Sequence, residues 1–314
     1  MSHSTYENLE ARGEQLYQSG QYDAFIELYK TELENFPDHL PEMIHDLAFV
    51  YLASGDKINA LAFLSAGLER GYFFGLPEWG AFVKELGHDP KFKELQKYNH
   101  KLKDIARQSA RPQWSVALPD GYDPFDSYPL FLSLHGYNEN IELMQRFWHA
   151  PLLKERFVHA YLQSSQVVDL KNFGWDDNPV AHHEIVQMAS EITDQHAIHL
   201  DQIFIGGFSQ GGTLSIDLAL TQALPIRGFI ALCPRKPESV QPELLENIRD
   251  IGVRGVILTG EKDASLDSQK EMIRNFMDAR FPYRFEVTPG MAHWFPENLP
   301  AQLNKALQFL LEEE

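Results

Sequence analysis

The chain has 314 residues, 44% of them hydrophobic and 12% aromatic, and its 45 acidic against 27 basic side chains give a net charge of -18. That content suits one large or two ordinary packed domains and excludes a disordered chain. The acidic balance, with no basic stretch to neutralise phosphates, excludes nucleic acid and anionic lipid as main partners. Cys233 is the one cysteine, so the sequence offers neither an internal disulfide nor a cysteine-based zinc site, and a reducing compartment is expected. Residues 1–7 carry neither a basic nor an apolar leader pattern, and no uninterrupted apolar run reaches the roughly 18 residues of a membrane span. A soluble, cytoplasmic protein is the expectation.

From about residue 6 to 102 the apolar pattern has a helical period. The segment Gly20-Gln21-Tyr22-Asp23-Ala24-Phe25-Ile26 is echoed by Gly55-Asp56-Lys57-Ile58-Asn59-Ala60-Leu61, with the two glycines 35 residues apart. Each glycine is expected to end one helix, and Tyr22 or Ile58 to begin the core face of the next. Phe25, Ile26 and Tyr29 fill that face in the first copy, and Ala60, Leu61 and Leu64 in the second. Leu47, Ala48 and Tyr51 supply packing positions on the second copy's opening helix. This region resembles a short tetratricopeptide array over residues 8–72, whose unit is about 34 residues. Residues 72–95, with Trp79, Phe82 and Leu86, are expected to close the array, and 97–109 to form an exposed helix end and linker. Two uses stay open for a helical domain over 1–110: recognition of a peptide, a protein or a second copy, and a brace that shapes the entrance to the domain that follows.

After Pro112 the texture changes. Short apolar strands are expected at 114–119, 130–134, 158–162, 202–206, 226–232, 253–258 and 283–287. Helices are expected at 141–153, 180–195, 213–222, 268–278 and 300–311. Alternation of this kind predicts an α/β domain over 111–314, with a mostly parallel sheet covered on both faces and function at the strands' carboxyl ends.

The stretch Gly207-Phe208-Ser209-Gln210-Gly211-Gly212 joins such a strand to such a helix. A tight turn there demands residues without side chains two before and two after the serine, and it lifts Ser209 above the sheet at a helix N-terminus. A serine hydroxyl needs a base, and the base needs an orienting group. His293, in the glycine-containing loop after the last strand, is the expected base. Asp263, in the loop after 253–260, is the expected orienter, with Asp267 and Glu261 as alternatives. The Gln210 N–H supplies one oxyanion donor, and the Tyr137 N–H, in Leu134-His135-Gly136-Tyr137-Asn138, is expected to supply the other. His135 is expected to hold that loop through its ring or to reach the pocket. Trp175 and Trp294 are expected either to line the pocket or to plug its rim. His182, His183, His196 and His199 read as structural, and no carboxylate–histidine spacing calls for a metal.

Four motifs in order, Leu134-His135-Gly136, Gly207 to Gly212, Gly260-x-x-Asp263 and Gly290-x-x-His293, resemble the α/β-hydrolase superfamily. The resemblance covers 114–312 and points to the carboxylesterase, phospholipase and acyl-protein thioesterase branch. It implies cleavage of carboxylic esters, and in some members thioesters, without a cofactor, with Ser209 as nucleophile, Asp263 and His293 as its partners, and Tyr137 and Gln210 as oxyanion donors. Where that branch often has a second glycine and an aspartate, this chain has Asn138-Glu139-Asn140. Two rival readings are an oligopeptidase or arylamidase and a non-catalytic binding module presented by the helical repeats.

Overall fold

A computed structural model describes residues 5–312, apart from the side chains of residues 76–79, so the Trp79 side chain and residues 1–4 lie outside the described residues. The chain divides into two compact units, Met1–Ser109 with Val167–Leu170, and Ala110–Gln166 with Lys171–Glu314.

The first unit is helical: α1 Tyr6–Gln18, α2 Tyr22–Glu32, α3 Leu40–Ala53, α4 Lys57–Glu69, α5 Leu76–Leu86 and α6 Pro90–Ser109, with a 3-10 turn at Pro37–His39. Gly20 and Gly55 take positive φ angles of 70° and 88° just beyond α1 and α3. The residue after each donates its N–H five residues back, Gln21 to Leu16 and Asp56 to Tyr51, both at 2.9 Å. The same closing bond runs from Tyr72 to Gly67 after α4, at 3.0 Å. Such left-handed closures satisfy the last helical carbonyls. Phe25, Ile26, Tyr29, Leu47, Ala48, Tyr51, Ala60 and Leu64 are all buried in one aromatic-rich core. Ile58, expected to open a core face, is instead 82% exposed. Asp56 caps α4 through the Asn59 N–H at 3.0 Å, and with Ala60 and Leu64 facing inward, position 58 falls about 200° round from Ala60. The expected linker at 97–109 is a continuation of α6, where Asn99 is buried and pairs with both the N–H and the carbonyl of Phe74 at 2.8 and 3.2 Å.

The second unit is built on a seven-stranded sheet. The elements from residue 113 onward are β1 Gln113–Ala117, β2 Tyr128–Leu134, α7 Ile141–Phe147, α8 Pro151–Arg156, β3 Val158–Gln163, the two-residue strands β4 Gln166–Val167 and β5 Phe173–Gly174, α9 Asn178–Gln195, β6 Ile198–Phe208, α10 Gln210–Thr221, β7 Ile226–Leu232, α11 Pro242–Asp250, β8 Arg254–Gly260, α12 Leu266–Asp278, β9 Tyr283–Thr288 and α13 Leu299–Leu311. Strand order is β1-β3-β2-β6-β7-β8-β9, and every neighbouring pair is parallel except edge strand β1 against β3. Central strands are apolar on both faces because helices cover both: α9, α10 and α12 pack on one side, α7, α8 and α13 on the other.

Three local differences from the expected elements have physical causes. The expected helix over 141–153 is two helices, because Ala150 is extended ahead of Pro151, as a residue before proline prefers. Strand β6 begins at Ile198, earlier than the expected start, since residues 199–201 are exposed and only Leu200 among them is apolar. Strands β4 and β5 are too short to leave a periodic signal.

Candidate active site

Parallel strands deliver their following loops to one edge of a sheet. Here β2 leads into His135, β6 into Ser209, β7 into Cys233, β8 into Asp263 and β9 into His293. Ser209 has φ 53° and ψ -111°, a backbone state that non-glycine residues adopt only when the surroundings enforce it. The enforcement is visible: a Cβ on Gly207 would stand 2.6 Å from Leu134 O, and one on Gly211 2.5 Å from the same oxygen. Ser209 N–H donates to Leu232 O at 2.8 Å, tying the turn to β7.

The three expected residues meet. His293 Nε2 lies 2.8 Å from Ser209 Oγ and His293 Nδ1 lies 3.0 Å from Asp263 Oδ2. With Nδ1 carrying its proton toward the carboxylate, Nε2 is left as the acceptor of the serine hydroxyl. Asp263 also accepts the Ser265 N–H at 2.6 Å and the Thr259 hydroxyl at 3.3 Å. Burial alone raises the Asp263 carboxyl, but the Cys233 thiol, the Ser265 amide and the His293 imidazole together hold it below its usual value. It is an ionised group in a water-poor place, positioned to steady an imidazolium. The two alternative acids lie elsewhere: Asp267 points into solvent near Lys270, and Glu261 accepts the Gly290 N–H at 2.8 Å, bracing the loop that carries His293.

Cys233 Sγ, an Asp263 oxygen and a His293 nitrogen lie within 4.8 Å of one another. Burial keeps that thiol protonated, and the other two groups are already bonded to each other, so the trio reads as part of the triad and not as a cation site.

The loop after β2 is held from within. His135 is fully buried, its ring stacked on Trp175 at 4.8 Å between centroids. Its Nδ1–H donates to Gly136 O at 2.7 Å and its Nε2 accepts the Ser164 N–H at 3.4 Å, a neutral imidazole, which burial pushes down to about 4. Glu139 Oε2 accepts the Gly136 N–H at 2.7 Å. Trp175 is buried as well, its indole N–H donating to His135 O at 2.9 Å and its main-chain N–H to Gln210 Oε1 at 2.7 Å. Gln210 Nε2 in turn donates to Asp176 Oδ1 at 2.9 Å.

A cavity of about 810 Å³ opens over Ser209 and His293, with Tyr137, Trp175, Gln210 and Arg235 among its walls. Of the three residues considered for the pocket, Trp175 lines it. The His135 ring is turned inward to the loop's own backbone, and Trp294 is 50% exposed beside Phe147 and Phe208, outside the cavity. Sequence reasoning gave no role to Asp217, which lines the cavity from α10 and bonds His182 Nε2 at 2.7 Å, nor to Glu139. The His–Asp pairing had no readable signal, since the two lie 35 positions apart on different helices.

Residues 178–310 match the family model described as phospholipase/carboxylesterase. No curated protein matches the chain by sequence. Among solved structures, an uncharacterized protein from Bacillus cereus is 23% identical, with 98% of this chain and 99% of that one covered and a TM-score of 0.55. An esterase, PE8, is 17% identical over 64% of this chain and 100% of its own, at a TM-score of 0.50. A putative dipeptidyl aminopeptidase IV from Bacteroides ovatus is 13% identical, covering 65% of this chain and 34% of its own, at a TM-score of 0.51. Such likenesses establish an α/β-hydrolase fold; chemistry has to come from the site. Among the described residues no helix is long and apolar enough to cross a membrane.

Proposed function

We propose that the protein hydrolyses carboxylic esters, and thioesters by the same route, through an acyl-enzyme on Ser209. The observation that carries this reading is the unbroken hydroxyl–imidazole–carboxylate chain from Ser209 through His293 to Asp263. Ser209 Oγ attacks the ester carbonyl as its proton passes to His293 Nε2. The carbonyl oxygen, now an anion, is met by the N–H of Gln210, at the N-terminus of α10, and by that of Tyr137. His293 returns the proton to the leaving alcohol or thiol. A water activated by the same nitrogen then releases the acid, while Asp263 stays ionised throughout. Water is the only co-reactant, so no cofactor enters.

Ser209→Ala tests the assignment: stoichiometric labelling by a fluorophosphonate and turnover of p-nitrophenyl esters are both expected to disappear with the fold intact. Labelling undiminished in that variant would overturn it. Amino-acid nitroanilides tried beside the esters separate this reading from an amidase, for which the nitroanilides would be the better substrates.

The domain limits 1–110 and 111–314 and a tetratricopeptide-like character of the helical unit belong to the same proposal. Support comes from the repeated glycine closures at 20 and 55 and the matching buried positions that follow each of them. We assign that unit to docking a peptide, and the whole protein to the cytoplasm, where a lone buried thiol such as Cys233 stays reduced. A peptide array probed with the full chain, in which Phe25→Glu leaves binding unchanged, would count against a repeat-like docking unit.

A further inference from the structure

Glu139 is a carboxylate only 6% exposed, in a loop that carries a proposed oxyanion donor. Its side chain turns back along its own chain, so that Oε2 accepts the Gly136 N–H at 2.7 Å and closes a ring of four residues around Tyr137. The main chain at Glu139 is pinned as well. Phe173 donates its N–H to Glu139 O at 2.8 Å, and Phe173 O accepts from both Glu139 and Asn138, at 3.3 and 2.9 Å. Asn138 takes a positive φ of 62° within this ring, a left-handed state that asparagine adopts more readily than most residues. Two residues past Phe173, the Trp175 N–H is bonded to Gln210 Oε1. The segment 173–175 is thereby joined at one end to the loop holding Tyr137 and at the other to Gln210, the two proposed donors.

We propose that Glu139 is a positioning residue for ester hydrolysis: by holding the Gly136 N–H it fixes the 135–136 peptide and closes the turn, and so, together with the His135 Nδ1–H on Gly136 O, it aims the Tyr137 N–H at the carbonyl oxygen of the substrate. The role rests on the ester-hydrolase reading of Ser209. The physical reason is that the Gly136 amide is buried and needs an acceptor, and Glu139 Oε2 is the one it bonds. Without one, the 135–136 peptide is free to turn toward any carbonyl or water that satisfies it, and the turn that carries the Tyr137 N–H shifts with it although His135 Nδ1–H still holds Gly136 O. The carboxylate packs closely on Gly136: a Cβ there would lie 2.8 Å from Glu139 Oε2 and 3.0 Å from Phe208 Cδ1.

The test compares reach with charge in the full chain. Glu139→Gln keeps an oxygen at the right distance, Glu139→Asp keeps the charge but falls short, and Glu139→Leu keeps neither. End-point titration with a fluorophosphonate counts competent sites. kcat per titrated site, KM for a p-nitrophenyl ester and Ki for an alkyl trifluoromethyl ketone, whose hemiketal oxyanion needs both donors, are then measured. For Leu and Asp, kcat per site falls by about 100-fold and Ki rises by a similar factor while KM stays within about twofold, as for loss of one oxyanion donor. Gln stays within about fivefold of the parent, the difference expected between a neutral and a charge-assisted bond. Wild-type kcat per site and Ki in Glu139→Asp would overturn the proposal, as would a Gln variant no better than Asp. If Glu139→Leu does not fold, the Asp and Gln pair carries the test. A parent protein that neither titrates nor turns over removes the ester-hydrolase reading, and this role with it; an active parent with insensitive variants removes this role alone.

Discussion

At Ser209 the backbone is confined by other backbone. The space two residues before and two after it is filled by Leu134 O and by the elbow's own main chain, and no rotamer change can relieve a clash there. Around Tyr137 the confinement comes from a side chain, the Glu139 carboxylate folded against the Gly136 amide. The two loops present the two donors proposed for one oxygen, yet only the first leaves a steric signature in the sequence. Backbone packed on backbone admits glycine and nothing else, so the elbow writes itself as Gly-x-Ser-x-Gly. A side-chain anchor can be an acid, an amide or a hydroxyl, and it writes nothing so recognisable.

The same substitution in both loops puts that contrast to measurement. Gly211→Ala drives a Cβ to 2.5 Å from Leu134 O, a main-chain atom held in the centre of the sheet. The elbow must shift, and displacement of the nucleophile by even about 1 Å costs about 100-fold in kcat. Overpacking adds a loss of about 1–3 kcal/mol in stability, read as a lower midpoint in urea. Gly136→Ala meets the end of the Glu139 side chain and the Phe208 ring edge, which can give. The expected outcome is a weakened Gly136–Glu139 bond, worth about 1 kcal/mol, or about fivefold in kcat. Equal losses at the two positions would show that the loop after β2 is as rigid as the elbow and would remove the distinction.

What could be read from the chain follows the same line. Ser209, Asp263 and His293 were legible because each follows an apolar strand whose end fixes its place, and they do come together. Phe25, Tyr29, Leu47 and Leu64 were legible through helical spacing, whereas Ile58 was misread because hydrophobicity alone does not give the phase of a short helix. The break between α7 and α8 was signalled by Pro151, but the apolar period runs through it. Glu139, set between two asparagines, reads as surface. Its burial depends on Phe173, thirty-four positions on, and nothing local in the sequence announces that bridge.

The third prediction moves activity least and tests whether Glu139 is as enclosed as the loop comparison requires. Burial raises its carboxyl to about 7, against the opposing pull of the Gly136 N–H. Between the ordinary carboxylate range near 4.5 and this raised value the folded chain holds a proton that the unfolded chain has lost. Folding is therefore favoured below that window, and the contribution is lost as pH rises through about 7. Neighbouring His135 has the opposite sign: its imidazole is pushed down to about 4, so its contribution is present at neutral pH and lost as pH falls from about 6.5. Asp263, held below its usual value, adds to that acid-side loss at still lower pH. Because these slopes oppose, the total curve is uninformative and the difference between parent and Glu139→Gln is the quantity to measure. Urea unfolding at pH 5, 6, 7 and 8 should show the parent losing stability relative to the variant by an amount on the order of 1–3 kcal/mol across the series. A flat difference would mean that water reaches Glu139, and a hydrated carboxylate could not hold Gly136 as a fixed anchor.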